Sequence, residues 1–292
     1  GRKAPNTVAQ SERFRVHVDW HVPSFLSGPS RHELKLQGRF AAHQEAIRFR
    51  SEDCKLGSDK KIVVDALKEW AGKRLEWTSM PVRAAPRPPP ALRLLLLGTA
   101  GTGKTYTAKF GITEVRLLLE SYDSVLTMAF TGVGSANLGI GSSTIDSVFH
   151  TNRAGSVQDL TRDALDNLVC ELESVELLVI GEVSTCGAAP LEVVSRRMQQ
   201  VACVLWRRRF RCPPPDDLGP FGGIGALLMG DFAQLPPVLS TSLMAGMPLI
   251  ESGGAAARSM ALAGRRVFNN FEGVIRLRPI YRKKGNDAFK DF

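Results

Sequence analysis

The sequence predicts an α/β fold in which a parallel sheet carries helices on both faces. Three observations support this. Short runs that are apolar at successive positions recur along the chain, helix-length segments separate them, and a glycine-rich turn joins the first run to the helical segment after it. A strand apolar on both faces is buried on both, which requires helices above and below the sheet.

Residues 1–57 mix Arg, His, Ser, Pro and isolated aromatics without a sustained helix or strand period, and are read as an extension of unassigned structure. The chain opens on Gly1 rather than Met, which leaves an upstream targeting signal open. Over 62–77 the positions Ile62, Val63, Ala66, Leu67, Trp70, Ala71 and Leu75 predict a helix with one apolar face. Residues 81–90 hold five prolines and read as an extended linker, because proline fixes φ and removes a backbone donor.

Strands follow over 92–97, 124–130, 177–180, 226–229 and 274–277, with helix-length segments such as 157–175 and 190–206 between them. The stretch 207–223, charged and then rich in Pro and Gly, reads as an exposed loop. Residues 58–292 are therefore expected to form one domain that includes the proline linker.

With 292 residues, 43% of them hydrophobic, the chain can bury a large core. Its formal net charge of +9 is compatible with a polyanionic partner and equally with a solvated basic surface. No apolar run approaches the length of a membrane span, so no membrane association is expected. The five cysteines, Cys54, Cys170, Cys186, Cys203 and Cys212, form no CxxC pair and lack a His at metal-ligand spacing, so reduced and mostly buried thiols are expected.

The strongest chemical signal is Gly98, Thr99, Ala100, Gly101, Thr102, Gly103, Lys104 and Thr105, set directly between a strand and a helix. This is a phosphate loop in its required context. Glycines let the backbone wrap closely, successive N–H groups point at a β-phosphate, and the helix amino terminus adds a favourable dipole. In such a loop Lys104 neutralises the β and γ phosphates and the Thr105 hydroxyl ligates magnesium, so ATP and Mg2+ are the expected ligands.

Three further stretches resemble the PIF family of DNA helicases, relatives of RecD in superfamily 1B. Thr131 and Gly132 through Asn137, Thr144, Ser147 and Phe149 are similar to that family's single-strand-contacting motif, with Asp146 where His is usual. Phe221 to Ile224, followed by Gly230 to Val238, match the third motif, whose Gln senses the γ-phosphate; Gln234 inherits that role by resemblance. Leu277, Tyr281, Arg282 and Phe289 are similar to the fourth motif, whose Arg approaches the γ-phosphate, with Lys283 where Gln is usual. The resemblance covers residues 58–292 and implies a RecA-like P-loop NTPase domain that binds ATP and single-stranded DNA. It implies no protein partner.

Read by chemistry alone, the hydroxyls and amide of the segment 131–149 can bond nucleic-acid phosphates, and Phe149 is either a stacking face or a core aromatic. Gln234 is either a nucleotide contact or a polar residue capping a turn.

The resemblance also exposes two departures. The second motif should present Asp and then Glu after a strand, the Asp anchoring the magnesium and the Glu acting on the attacking water. Here Gly181 replaces the Asp, while Glu182 and Ser184 fit. ATP binding can survive such a loss where hydrolysis suffers, since an outer-shell partner is worth roughly 10 to 100-fold in metal affinity or activity. Asp231 is not expected to rescue the site. The second departure is that the segment 58–61 contains no glutamine to read adenine, and Gln44 lies too far upstream.

The resemblance implies an ATP-dependent DNA helicase of 5'-3' polarity, coupling hydrolysis to translocation in DNA repair, recombination or telomere maintenance. The alternative is a catalytically impaired protein that grips ATP and single-stranded DNA without turnover. The chain stops at Phe292, where a second RecA-like domain would be expected to follow.

Overall fold

The computed structural model describes residues 44, 48, 56–82, 88–139, 141–150, 160–238, 240–246 and 254–278. In chain order these form α1 (Ser58–Ser79), β1 (Arg93–Leu97), α2 (Lys104–Leu118), β2 (Val125–Ala129), α3 (Gly132–Leu138), β3 (Ser143–Thr144) and α4 (Ile145–Phe149). Then come α5 (Arg162–Leu172), β4 (Leu177–Gly181), α6 (Ala188–Phe210), β5 (Gly225–Gly230), α7 (Ala255–Asn269) and β6 (Gly273–Arg276).

The strands form one sheet in the order β3-β2-β4-β5-β1-β6, and every pairing is parallel. The central strands β4 and β5 are buried at every position, as apolar runs covered on both faces require. Strand alternation sorts their side chains cleanly. Leu95, Leu178, Ile180 and Leu228 point to one face, into a core shared with Leu172 of α5, Leu191 of α6 and Ala261 of α7. Leu94, Leu96, Leu177, Val179 and Leu227 point to the other, against Val63, Leu67 and Trp70 of α1 and Ile112 and Val115 of α2. The edge strand β6 differs from the expectation: it alternates between half-buried and exposed, and Val274 is 54% exposed.

Helix α1 spans the predicted segment, but its buried face is displaced. Val63, Val64, Leu67, Trp70, Ala71 and Trp77 are buried, whereas Ile62 and Leu75 are exposed. The helix ends at Ser79 because Pro81 disfavours helical geometry at Met80, which is extended. Of the proline linker, residues 83–87 lie outside the described residues.

Helix α5 is shorter than the sequence pattern suggested. It begins where the Thr161 side chain accepts a hydrogen bond from the Ala164 N–H. Helix α6 is longer, and residues 207–210 belong to it rather than to the loop after it. Arg207, Arg208 and Arg209 sit in its last turn, where cations complement the helix dipole. Arg209 also donates to the Trp77 and Thr78 carbonyls, covering the exposed carboxyl end of α1.

The cysteines require a correction. Of the four described, only Cys186 is buried, while Cys170 and Cys212 are exposed, since they fall on helix and loop surfaces rather than in the core.

Candidate functional site

The expected site segments leave the carboxyl ends of adjacent strands, the edge at which open α/β sheets bind ligands. The glycine-rich loop follows β1, Thr131 follows β2, Gly181 and Glu182 close β4, and Gln234 follows β5. Register brings them level: Leu97 pairs with Gly230, and Ala129 pairs with Gly181.

The loop takes the form that its glycines permit. Gly101 and Gly103 have φ of 86° and 89°, a left-handed backbone that favours glycine. Thr102 is fully buried and its hydroxyl donates to the Thr99 carbonyl at 2.9 Å, so it braces the loop from inside. Helix α2 begins at Lys104, so the free N–H groups of its first turn face back toward the loop, an arrangement suited to an anion. Lys104 Nζ donates to the carbonyls of Gly98 and Thr99, at 2.6 and 3.0 Å.

A cavity of about 540 Å3 opens over this loop. Its walls include Ala100, Gly101, Gly103, Lys104 and Thr105 on one side and Gly181, Glu182 and Gln234 on the other. Stretches far apart in sequence therefore meet in one place. Gly181 brings no carboxylate to this wall. Asp231 does not replace it: its carboxylate accepts from the Ala233 N–H and lines a separate cavity of about 440 Å3 with Gly98, Thr99, Arg276 and Arg278.

Glu182 has a left-handed backbone, φ 55° and ψ 47°, uncommon for a residue with a side chain. The Thr185 N–H and hydroxyl both donate to its carbonyl and hold it there. Its carboxylate accepts a hydrogen bond from the Thr131 hydroxyl at 2.6 Å. A second cavity of about 550 Å3 shares Glu182 and Gln234 with the first and is bounded also by Thr131, Ser184, Thr185 and Leu235.

The residues expected to meet DNA divide. Thr131, Gly132, Asn137 and Ser147 are at least partly open to solvent, while Thr144 is half-buried and accepts from the Ser147 N–H, capping α4. Asn137 lines the loop cavity rather than the second one. Phe149 is corrected: it is 1% exposed and packs in the core with Ile145 and Leu172, because α4 turns its apolar face to the sheet. Arg282, with Tyr281, Lys283 and Phe289, lies outside the described residues.

Sequence reasoning missed Lys60. It is 7% exposed, and a Cβ on Gly103 would lie 3.2 Å from its Nζ. A signal was present, since Lys60 belongs to the segment 58–61, where the family resemblance points to an adenine-reading glutamine. Arg93 starts β1, at the end of the strand opposite the loop, and serves the fold: its guanidinium donates to the carbonyls of Leu92, Pro220 and Ile224, and burial lowers its pKa to about 10.

Among known proteins, the PIF1-like helicase family model matches residues 91–286. The chain is 30% identical over 152 residues to the ATP-dependent DNA helicase Pif1 of Psychrobacter sp. (strain PRwf-1), across 50% of this chain and 20% of that protein. It is 32% identical over 154 residues to the ATP-dependent DNA helicase RRM3 of Saccharomyces cerevisiae, across 48% of this chain and 18% of that protein. The chain thus spans about a fifth of the length of these relatives. A structure of Pif1 helicases, solved for DNA unwinding at forked double-stranded DNA, is similar in fold, with a TM-score of 0.51 and 20% identity over 78% of this chain and 44% of that one. The parallel sheet with helices on both faces, the phosphate loop on its first strand and the family match together establish that this chain belongs to the PIF1-like helicase family.

Proposed function

We propose that residues 58–292 form the first RecA-like domain of an ATP-dependent DNA helicase, binding ATP in the loop cavity and single-stranded DNA beside it. The convergence of the phosphate loop, Glu182 and Gln234 on one cavity carries this reading. The loop amides and Lys104 hold the phosphates, Glu182 acts on the attacking water, and Gln234 meets the γ-phosphate. Arg282 is assigned to the γ-phosphate from the family motif. The Thr105 hydroxyl would hold a nucleotide-bound magnesium, and Gly181 would offer it no carboxylate anchor. Thr131, Gly132, Asn137, Thr144 and Ser147 are assigned to DNA, where hydroxyls and backbone amides meet phosphates. Unwinding itself requires a second RecA-like domain that moves against this one.

A second reading, a protein that grips both ligands with impaired turnover, is favoured by Gly181 alone. Titration of a fluorescent ATP analogue into the wild type and Lys104→Ala tests the assignment of the loop. The wild type should bind and the variant should not; equal affinity in the two would overturn it.

A further inference from the structure

We infer that Thr131 and Glu182 form a switch, in which a nucleic-acid phosphate entering the second cavity takes the Thr131 hydroxyl and releases the Glu182 carboxylate toward the nucleotide. The inference rests on the proposed DNA reading and deepens it.

Glu182 lines both cavities, and so does Gln234. Its backbone is fixed by the left-handed turn and by the two donors from Thr185, so any movement must come from its side chain. The Thr131 hydroxyl, 51 residues away in sequence, anchors that side chain at 2.6 Å. The same Thr131 oxygen accepts from the Gly134 N–H at 2.9 Å and so caps α3, which keeps the hydroxyl aimed at the carboxylate. The carboxylate rests directly on α3: a Cβ on Gly134 would fall 2.4 Å from Glu182 Oε2.

A serine or threonine hydroxyl has one proton to donate. Thr131 therefore cannot donate to Glu182 and to a phosphate together. An anion approaching Thr131 also meets the negative charge of Glu182 across a short distance, so the two compete electrostatically as well. Occupation of the second cavity breaks the bond at 2.6 Å and leaves the carboxylate free to reorient. By linkage, whatever loosens Glu182 from Thr131 must tighten the hold on the nucleic acid. Thr131 is thus a positioning residue for Glu182, and the coupling runs through a single hydrogen bond.

Binding of a labelled oligothymidine to the full chain, followed by anisotropy at low salt without nucleotide, tests this. Glu182→Ala should bind about three- to tenfold tighter than wild type, the net worth of one ordinary hydrogen bond. In a Thr131→Val background the same substitution should gain much less, by at least about threefold, because the hydroxyl that benefits is gone. Thr131→Ser should restore the full gain. Gly134→Ala reaches the same state differently, since its methyl group displaces the carboxylate without deleting either partner, and it too should tighten binding. Equal gains in both backgrounds, or none from Glu182→Ala and Gly134→Ala, would overturn the switch. A wild type that binds no oligothymidine would overturn the DNA reading itself and the switch with it.

Discussion

Leu138, on the last turn of α3, covers Gly181 at the end of β4: a Cβ built on Gly181 would lie 3.1 Å from Leu138 Cδ1 and 3.5 Å from Cγ. That contact is tight, but the atom in the way ends a flexible side chain. The Gly181 backbone lies in an ordinary strand, so a side chain there is strained only by Leu138. Gly181→Asp should therefore fold, with a small rotation of Leu138, and project a carboxylate into the loop cavity. Its ATPase rate should exceed that of the wild type by at least about tenfold in the presence of magnesium, the usual worth of an outer-shell metal partner. Matched full-length helicases differing only at residue 181 provide the comparison. Equal rates with both forms folded and binding ATP would place the defect elsewhere.

Single-stranded DNA binding should weaken steeply as salt rises, because each phosphate contact releases condensed counterions. Anisotropy titrations of an oligothymidine at several salt concentrations measure the slope. Binding that is indifferent to salt would exclude phosphate contacts as the source of affinity.

Phe149 should matter for stability and not for DNA. Its burial in the α4–sheet core implies a loss of about 3–5 kcal/mol for Phe149→Ala, as for other buried aromatics. Phe149→Leu should retain most of the stability and bind oligothymidine as tightly as the wild type. Urea unfolding read beside anisotropy separates the two effects, and a selective loss of DNA affinity in the Leu variant would restore the stacking role.

Cys186 should be inert in the folded protein. It is completely buried, and burial pushes its thiol well above the usual cysteine range, so the reactive thiolate is disfavoured. A thiol reagent followed by peptide mapping should label Cys170 and Cys212 early and Cys186 only on unfolding. Early labelling of Cys186, even at alkaline pH, would contradict its placement.

The sheet was legible because burial on both faces leaves its mark on every position of a strand: β1, β2, β4 and β5 lie within a residue or so of the apolar runs. The glycine-rich loop was legible because its backbone geometry demands particular residues at fixed spacing. What pattern alone could not supply was direction. Ile62 and Leu75 fit a helical stripe, yet the true stripe of α1 is rotated to carry Val64 and Trp77 inward. For Phe149, core and surface were equally compatible with its sequence, and tertiary packing decides. The bond from Thr131 to Glu182 depends on β2 lying beside β4, an adjacency that sequence order conceals.

Helix α1 has a practical consequence for anyone trimming this chain. Its Val63, Leu67, Trp70 and Ala71 share a buried cluster with Leu94, Leu96, Leu177 and Leu227 of the sheet, yet they precede both the proline tract and the segment 91–286 that the family model matches. A fragment cut to the matched segment would strip the lid from a dry hydrophobic surface and leave it wet, inviting aggregation. The prolines act as a tether rather than a border. Insertions could lengthen that tether at little cost, whereas a cut there would divide a single core between two pieces.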